Sequence, residues 1–341
     1  MKTIETGRLP LRKFTEDDFS AAQSYASCKD NVIYMVWGPN SEEHTRAFIN
    51  MAITRTEEIP CVNYQYAVVL KTTGTLIGAC NIALTGDAAE IGWILHCDYW
   101  KQGYGTEMGA ALLDFGFGDL NLHRIVAHCD AENIASYRVM EKIGMRREGL
   151  FIEGRMANKS SDSKYGDELS YAILKDEWET QKEIKYYNTM PFRFNGFIDV
   201  PELSDGVIHL VCTAKKPGDS ETKIVPGYEF AVCVGSEKVG DIRLRIGYTD
   251  SLYFAGQIGY DTNEQYRGKG YAGRACLLVI PVAKAHGMEK LLITNNHNNA
   301  ASRRVCEKLG ARFVRVARIP EWFPTYNNGI RFQNIYEWSV D

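Results

Sequence analysis

The chain has 341 residues, 45% of them hydrophobic, and its 39 basic and 43 acidic side chains leave a net charge of -4. At about 150 residues per domain this length predicts two domains with a core in each, and the near-balance of charge excludes a nucleic-acid polyanion or an anionic membrane as the main partner. Nine cysteines stand singly with no CxxC pair, no apolar run is long enough to span a membrane, and the opening "MKTIETGRLPLRKF" is too polar for a secretion signal, so a cytoplasmic protein is expected.

In chain order, "RLPLRKF" reads as an alternating strand, and "TEDDFSAAQSYASC" and "SEEHTRAFINMAITRTEE" read as helices, each opened by a Ser or Thr cap followed by acids. "YQYAVVLKTTGTLIGACNIAL" predicts two strands around a TTGT turn, and "AEIGWILHC" a third. After the glycine knot "WKQGYG" comes "TEMGAALLDFGF", where Met108, Ala111, Leu112 and Phe115 share one helix face. "HRIVAHCD" predicts a strand, "IASYRVMEKIGM" a helix stopped at Gly144, and "MRREGLFI" and "ELSYAILKDEW" two closing strands. The second half opens with "VIHLVC" as a strand and repeats the later part of this order: a hairpin in "EFAVCVGSEKVGDIRLRIG", a strand in "GQIGYDT", the knot "YRGKGYA", a helix in "GYAGRACLLVIPVAKAHGM", a strand in "KLLITNN" and a helix in "AASRRVCEKLGA". Pro281 removes a donor inside the first of these helices and should kink it.

The repeat is a matter of register. Glu90 and Gln257, Gly92 and Gly259, Trp100 and Arg267, and Gly103 and Gly270 are all 167 positions apart, while Asn133 and Asn299, Ser136 and Ser302, and Gly144 and Gly310 are 166 apart. One single-residue deletion aligns the two halves. A glycine knot before a helix offers unpaired N–H groups and the positive end of the helix dipole, which suit a phosphate, and small residues let the backbone approach it. Gly103, Gly105 and Gly109 also fit GxGxxxG, and Gly268, Gly270 and Gly273 fit GxGxxG, so dinucleotide binding is the alternative. Against it, each knot follows a meander and lies beyond a tight strand-to-helix turn.

On these residues the chain resembles the GNAT N-acetyltransferase superfamily, whose acyl-CoA signature is Arg/Gln-x-x-Gly-x-Gly/Ala at a helix start. Arg267, Gly270 and Ala272 match it in full, and Trp100, Gly103 and Gly105 match it with Trp in first place. That Trp, with "GYGTE" after it and "NIASYRVMEKIGM" downstream, is similar to the ribosomal-protein alanine N-acetyltransferase subgroup. The resemblance implies an α+β fold of two tandem domains, each a mixed, mostly antiparallel sheet flanked by helices. The expected limits are 1–178 for the first domain, 179–190 for a linker, and 191–341 for a second domain without the first two helices.

It also implies acetyl-CoA as cofactor, lying where two central strands splay apart, and direct attack of a primary amine on it. Trp93, Ile94 and Leu95, and in the second copy Tyr260, Asp261 and Thr262, would pair with pantetheine through their backbones. Trp100, Gly103, Tyr104, Gly105, Thr106 and Asn133 would complete the first cofactor site, and Arg267, Gly268, Gly270, Ala272, Gly273, Asn299 and Ser302 the second. Glu90 and Ser136 are the catalytic candidates, Glu90 as the base that takes the amine proton. Asn133 and Asn299 also suit plain helix N-caps, Ser136 and Ser302 plain first-turn residues, and Glu90 a solvated carboxylate.

The chain departs from the family pattern in places. Met140 and Cys306 stand where many members carry a Tyr acid, and Gln257 stands at the base position of the second half, with Asp261 and Glu264 as the nearest substitutes. The main catalyst is therefore expected in the first half, with the second half as a CoA-binding or structural module as the competing reading. The acceptor is expected to be a small-molecule amine or a protein N-terminus, with a homodimer as a possible assembly.

Overall fold

The chain divides between Trp178 and Glu179 into two units, each built on its own eight-stranded mixed sheet. The computed structural model describes residues 1–158, 163–219, 221 and 224–340.

The first unit runs β1 (Ile4–Glu5), β2 (Pro10–Arg12), α1 (Phe19–Ala26), α2 (Lys29–Val32), α3 (Glu42–Arg55), β3 (Asn63–Val69), β4 (Leu76–Thr85) and β5 (Ala88–Leu95). It continues with α4 (Tyr104–Asp114), β6 (Arg124–Asp130), α5 (Ile134–Lys142), β7 (Arg146–Met156) and β8 (Tyr165–Leu174). The sheet order is β1-β2-β3-β4-β5-β6-β8-β7, antiparallel except between β5 and β6. Period-two alternation sends Ile125, Ala127 and Cys129 of β6 and Leu169, Tyr171 and Ile173 of β8 to one face, where they bury Met108 and Leu112 of α4 and Met140 of α5. The other face packs Ala67, Val69 and Ala79 under Tyr25 of α1 and Ile49 of α3. The Ser41 side chain caps α3 by accepting the His44 N–H, as its sequence foretells.

Helix α6 (Lys175–Tyr187) carries the boundary and fills most of the segment expected as a linker. The strand expected through residue 178 stops at Leu174 because Glu177 reaches back to accept the Leu174 N–H at 2.8 Å, a helix-starting bond. Trp178 packs on Phe117 in the first unit, and Tyr187, 3% exposed, enters the second core.

The second unit follows with β9 (Leu203–Ser204), β10 (His209–Lys216), β11 (Gly227–Val234), β12 (Glu237–Arg245), α7 (Asp250–Ala255) and β13 (Ile258–Thr262). Then come α8 (Tyr271–Leu278), α9 (Ile280–Ala285), β14 (Lys290–Asn296), α10 (Ala300–Lys308), β15 (Arg312–Arg318) and β16 (Phe332–Ser339). Its order, β9-β10-β11-β12-β13-β14-β16-β15, reproduces the first sheet, with the single parallel pair between β13 and β14. Among the described residues no helix lies between β10 and β11, whereas α7, unforeseen in the sequence, fills the connection from β12 to β13. The helix expected over 270–288 is broken into α8 and α9 at Val279, so that Pro281 falls in the first turn of α9, where its missing donor costs nothing. No helix among the described residues is long and apolar enough to cross a membrane.

Candidate functional site

In the first unit β4 and β5 pair along their whole length, from Thr85↔Ala88 to Gly78↔Leu95. The parallel pairing of β5 with β6 covers only Ala88–Glu90 against Arg124–Val126, after which β6 continues with β8 alone. The two strands part beyond Glu90 and leave a gap. The Ile94 carbonyl points at β4, where a Cβ on Gly78 would collide with it. Strand alternation therefore turns the backbone groups of Trp93 and Leu95 into the gap. The Leu95 carbonyl is already held there by Trp100 Nε1 at 2.8 Å and Asn31 Nδ2 at 2.7 Å.

The second unit repeats this arrangement. β13 meets β14 only at Ile258↔Ile293, and the Asp261 carbonyl faces Gly240 of β12 as Ile94 faces Gly78. Tyr260 and Thr262 face the gap, and Arg267 Nε donates to the Thr262 carbonyl at 3.3 Å, the same service Trp100 gives Leu95. Of the six strand residues expected to line the gaps, four present their backbones to them, while Ile94 and Asp261 turn theirs to the neighbouring strand.

Each knot ends in a helix whose first turn is open. Gly103 and Gly270, with φ of 83° and 81°, occupy the N-cap positions of α4 and α8 and carry no side chain to cap them. Two residues earlier a second left-handed residue bends the chain, Lys101 at φ 60° and Gly268 at φ 81°. The N–H groups of Tyr104, Gly105 and Thr106, and of Tyr271, Ala272 and Gly273, lie before the first intrahelical bonds, which begin at Glu107 and Arg274. Gly105 has a further role, since a Cβ there would stand 3.1 Å from Val139 Cγ2 of α5.

Arg8, which the sequence does not single out, braces the first knot. Its guanidinium donates to the Gln102 carbonyl at 2.9 Å and to Glu107 Oε2 at 2.6 Å, and lies 4.4 Å from the centre of the Tyr104 ring. Burial pushes the Glu107 carboxyl up, but hydrogen bonds from Thr6 and from the Arg8 N–H and guanidinium outweigh it and hold the group below the ordinary value of 4.5. In the second unit the signs are exchanged: Arg274 of α8 pairs at 2.7 Å with Asp205 in the turn between β9 and β10.

Asn133 and Asn299 are N-caps of α5 and α10, accepting the Ser136 and Ser302 N–H groups at 3.1 and 3.0 Å. The Ser136 hydroxyl meets the Cys129 thiol, which burial pushes up to about 11. Ser302 Oγ lies 2.8 Å from the hydroxyl of Tyr260, a phenol that burial holds well above its usual value of 10.0. Met140 is 1% exposed in the first core and Cys306 is equally buried in the second, where Asn295 Nδ2 reaches its sulfur at 3.7 Å.

Glu90 is exposed at the last ladder pair before the strands part, on the face opposite α4. Its register partner is Val126, so His128, two residues further along β6, stands on the same face across the mouth of the gap. His128 Nδ1 lies 3.6 Å from Glu168 Oε1 of β8, both side chains partly exposed. Sequence reading missed this pair; the one trace of it is that His128 alternates with the buried Ala127 and Cys129. In the second unit Gln257 is fully buried and its amide is spent, Nε2 donating to the Gly247 carbonyl at 3.0 Å and Oε1 accepting the Leu292 N–H at 2.6 Å. Asp261 is exposed, with Oδ1 accepting the Thr262 N–H, and Glu264 stands in the turn before the knot.

A family model described as "Acetyltransferase (GNAT) domain" matches residues 8–146 and again 209–312. The N-acetyltransferase YnaD of Bacillus subtilis, itself uncharacterized, is 39% identical over 177 residues, 51% of this chain and 98% of that protein. The uncharacterized N-acetyltransferase p20 of Bacillus licheniformis is 29% identical over 182 residues, 52% of this chain and 99% of that protein. Among solved structures, a GNAT-family acetyltransferase from Bacillus anthracis is 37% identical, covers 51% of this chain and 99% of its own, and superposes with a TM-score of 0.45.

Proposed function

The chain belongs to the acetyltransferase (GNAT) domain family and is an N-acetyltransferase, and from that premise we propose that its first unit is the main catalyst, moving an acetyl group from acetyl-CoA onto a primary amine. The observation that carries this reading is the gap beyond Glu90, which has unpaired strand edge on one wall, an open helix N-terminus at one end and a carboxylate at its mouth. These features fit the cofactor. The Trp93 backbone and the Leu95 N–H would hold the pantetheine arm as an added strand, and the first-turn N–H groups of Tyr104, Gly105 and Thr106 would take the pyrophosphate. Acetyl-CoA supplies an acetyl group already activated as a thioester, with a leaving thiol whose pKa, near that of cysteine, is about 8.5.

What remains for the protein is the proton. An alkylamine with a pKa of about 10.4 arrives at pH 7 almost wholly as ammonium, with roughly one molecule in 2,500 free to attack. Glu90 accepts that proton at the rim of the gap, and His128, held by Glu168, carries it onward to solvent. Asn133 and Ser136 act by fixing the start of α5 against the gap. In the second unit Gln257 is locked into the backbone and can accept no proton, which favours a ligand-holding rather than a catalytic role for that unit. The acceptor is a small-molecule amine or a protein N-terminus.

A thiol-release assay with acetyl-CoA over polyamines, amino sugars, amino acids and N-terminal peptides tests this reading. Glu90→Gln should lower kcat by about 10²- to 10⁴-fold with acetyl-CoA binding retained, and the deficit should shrink as pH rises toward the amine pKa. A Glu90→Gln protein with the kcat of the parent at pH 7 removes Glu90 from the mechanism.

A further inference from the structure

Well-shielded guanidinium groups in this protein answer to carboxylates. Arg155 and Arg315, 12% and 13% exposed, pair with Asp130 at 3.5 Å and with Glu179 at 3.0 Å. Arg245, the last residue of β12, does not. It is partly buried, its one side-chain hydrogen bond among the described residues runs from Nη1 to the Gly256 carbonyl at 3.0 Å, and it forms no ion pair within 4.0 Å among them. Glu229, the acid whose charge acts on it, is engaged by Arg243 at 3.6 Å and Lys216 at 3.8 Å. Burial, with Arg243 close by, draws the Arg245 pKa below the ordinary arginine value of 12.5. A cation withdrawn from water without a counter-ion is an unfavourable arrangement that an arriving anion would relieve.

Its place in the fold says where that anion would sit. The Arg245 guanidinium lies over Gly259, with Nη1 3.5 Å from the point a Cβ there would occupy, one residue before Tyr260 turns its backbone into the gap. The matching glycine of the first unit, Gly92, lies under the Asn81 side chain. The same spot beside the gap therefore carries a neutral amide in one unit and a cation without an ion-pair partner in the other. A single planar fork with Glu229 and the exposed Asp261 in its neighbourhood suits a monoanion better than a phosphate dianion.

We propose that Arg245 anchors a carboxylate-binding site at the mouth of the second unit's gap, so that this unit takes a ligand with a free carboxylate. The carboxylate belongs either to the acyl chain of a dicarboxylic acyl-CoA or to an amino-acid acceptor. The first source rests on the cofactor reading given above, and the second does not.

Calorimetric titration of the full chain separates the two sources. The probes are succinyl-CoA against acetyl-CoA, glycine against glycinamide, and free succinate. At least one carboxylate probe should bind about tenfold more tightly to the parent than to Arg245→Gln, Arg245→Lys should recover part of the difference, and acetyl-CoA should bind all three proteins alike. Without ligand, Arg245→Gln should melt at the same or a higher temperature, because it removes a charge that lacks a partner. Equal binding of every carboxylate probe by parent and Arg245→Gln overturns the proposal, and so does a clear fall in the unliganded melting temperature, which would show the charge already paired. Failure of acetyl-CoA to bind the parent would defeat the cofactor reading instead, and the glycine and succinate titrations would still decide the role of Arg245.

Discussion

Asn31 offers a sharp test of how the first gap is held in shape. Its side chain, 8% exposed, accepts the Cys97 N–H at 2.9 Å and donates to the Leu95 carbonyl at 2.7 Å, so a single amide from α2 clamps both sides of the turn that ends β5. Asn31→Leu keeps the volume and removes both bonds. Cys97 then has a shielded N–H with no acceptor, which costs about 1–3 kcal/mol, and loss of the second bond adds about 1 kcal/mol, the Leu95 carbonyl keeping Trp100 as its donor. The sum of about 2–4 kcal/mol corresponds to a fall in melting temperature of roughly 4–16 °C for a unit of this size. Trp100→Phe, which removes only the redundant donor, should cost less than half as much. Differential scanning calorimetry on the full chain, with the acetyl-CoA dissociation constant measured alongside, reads both. A melting temperature for Asn31→Leu within 1 °C of the parent, or a Trp100→Phe loss exceeding that of Asn31→Leu, would refute the clamp.

Gly105→Ala should be tolerated with little change in melting temperature, because the added Cβ, 3.1 Å from Val139 Cγ2, needs only a slight shift of that side chain and the matching residue of the second unit is Ala272. Gly105→Val should lower stability by about 1–3 kcal/mol by driving α4 against Val139, as well as weakening acetyl-CoA binding; a valine variant of parental stability would show that α4 and α5 are not in close contact there. Glu107 has a folded pKa below its ordinary 4.5, so its contribution is present above about pH 4.5 and lost as pH falls through the lower, folded value. Glu107→Gln should therefore melt below the parent at pH 7, with the gap closing under pH 4.5; a gap that persists unchanged to pH 3 contradicts the assignment.

The glycine knots, the caps and the order of the central strands were legible because each is written in a few adjacent residues and then written again at a fixed spacing. Asn133 and Asn299 could be read as caps from their neighbours alone, and the structure uses both in that way. The parting of β5 from β6 was expected from the family resemblance alone, since a strand that lacks a partner has the same alternation as one that has it. His128 and Glu168 lie 40 positions apart and meet only because β6 and β8 pair across a helix and a long strand. Arg8 and Glu107 lie 99 positions apart. Gln257 misleads in an instructive way: its position matches Glu90, but twelve residues join β12 to β13 where two join β4 to β5, and they build α7 and turn its side chain inward, where backbone groups consume it. Arg245 carries no local signal, because the anomaly is the absence of a neighbour.

The exchanged signs at the two helix starts bear on how such a chain reaches its native pairing. Two copies of one topology on a single polypeptide invite each edge hairpin to seek the other copy's helix, a common route to misassembly in repeated folds. Here the correct matches join Arg8 to Glu107 and Asp205 to Arg274, whereas the crossed ones would set Arg8 against Arg274 and Asp205 against Glu107. Like charges in both crossed matches make the wrong partner repulsive while the right one is attractive, so each hairpin carries a lock that opens only to the helix of its own repeat.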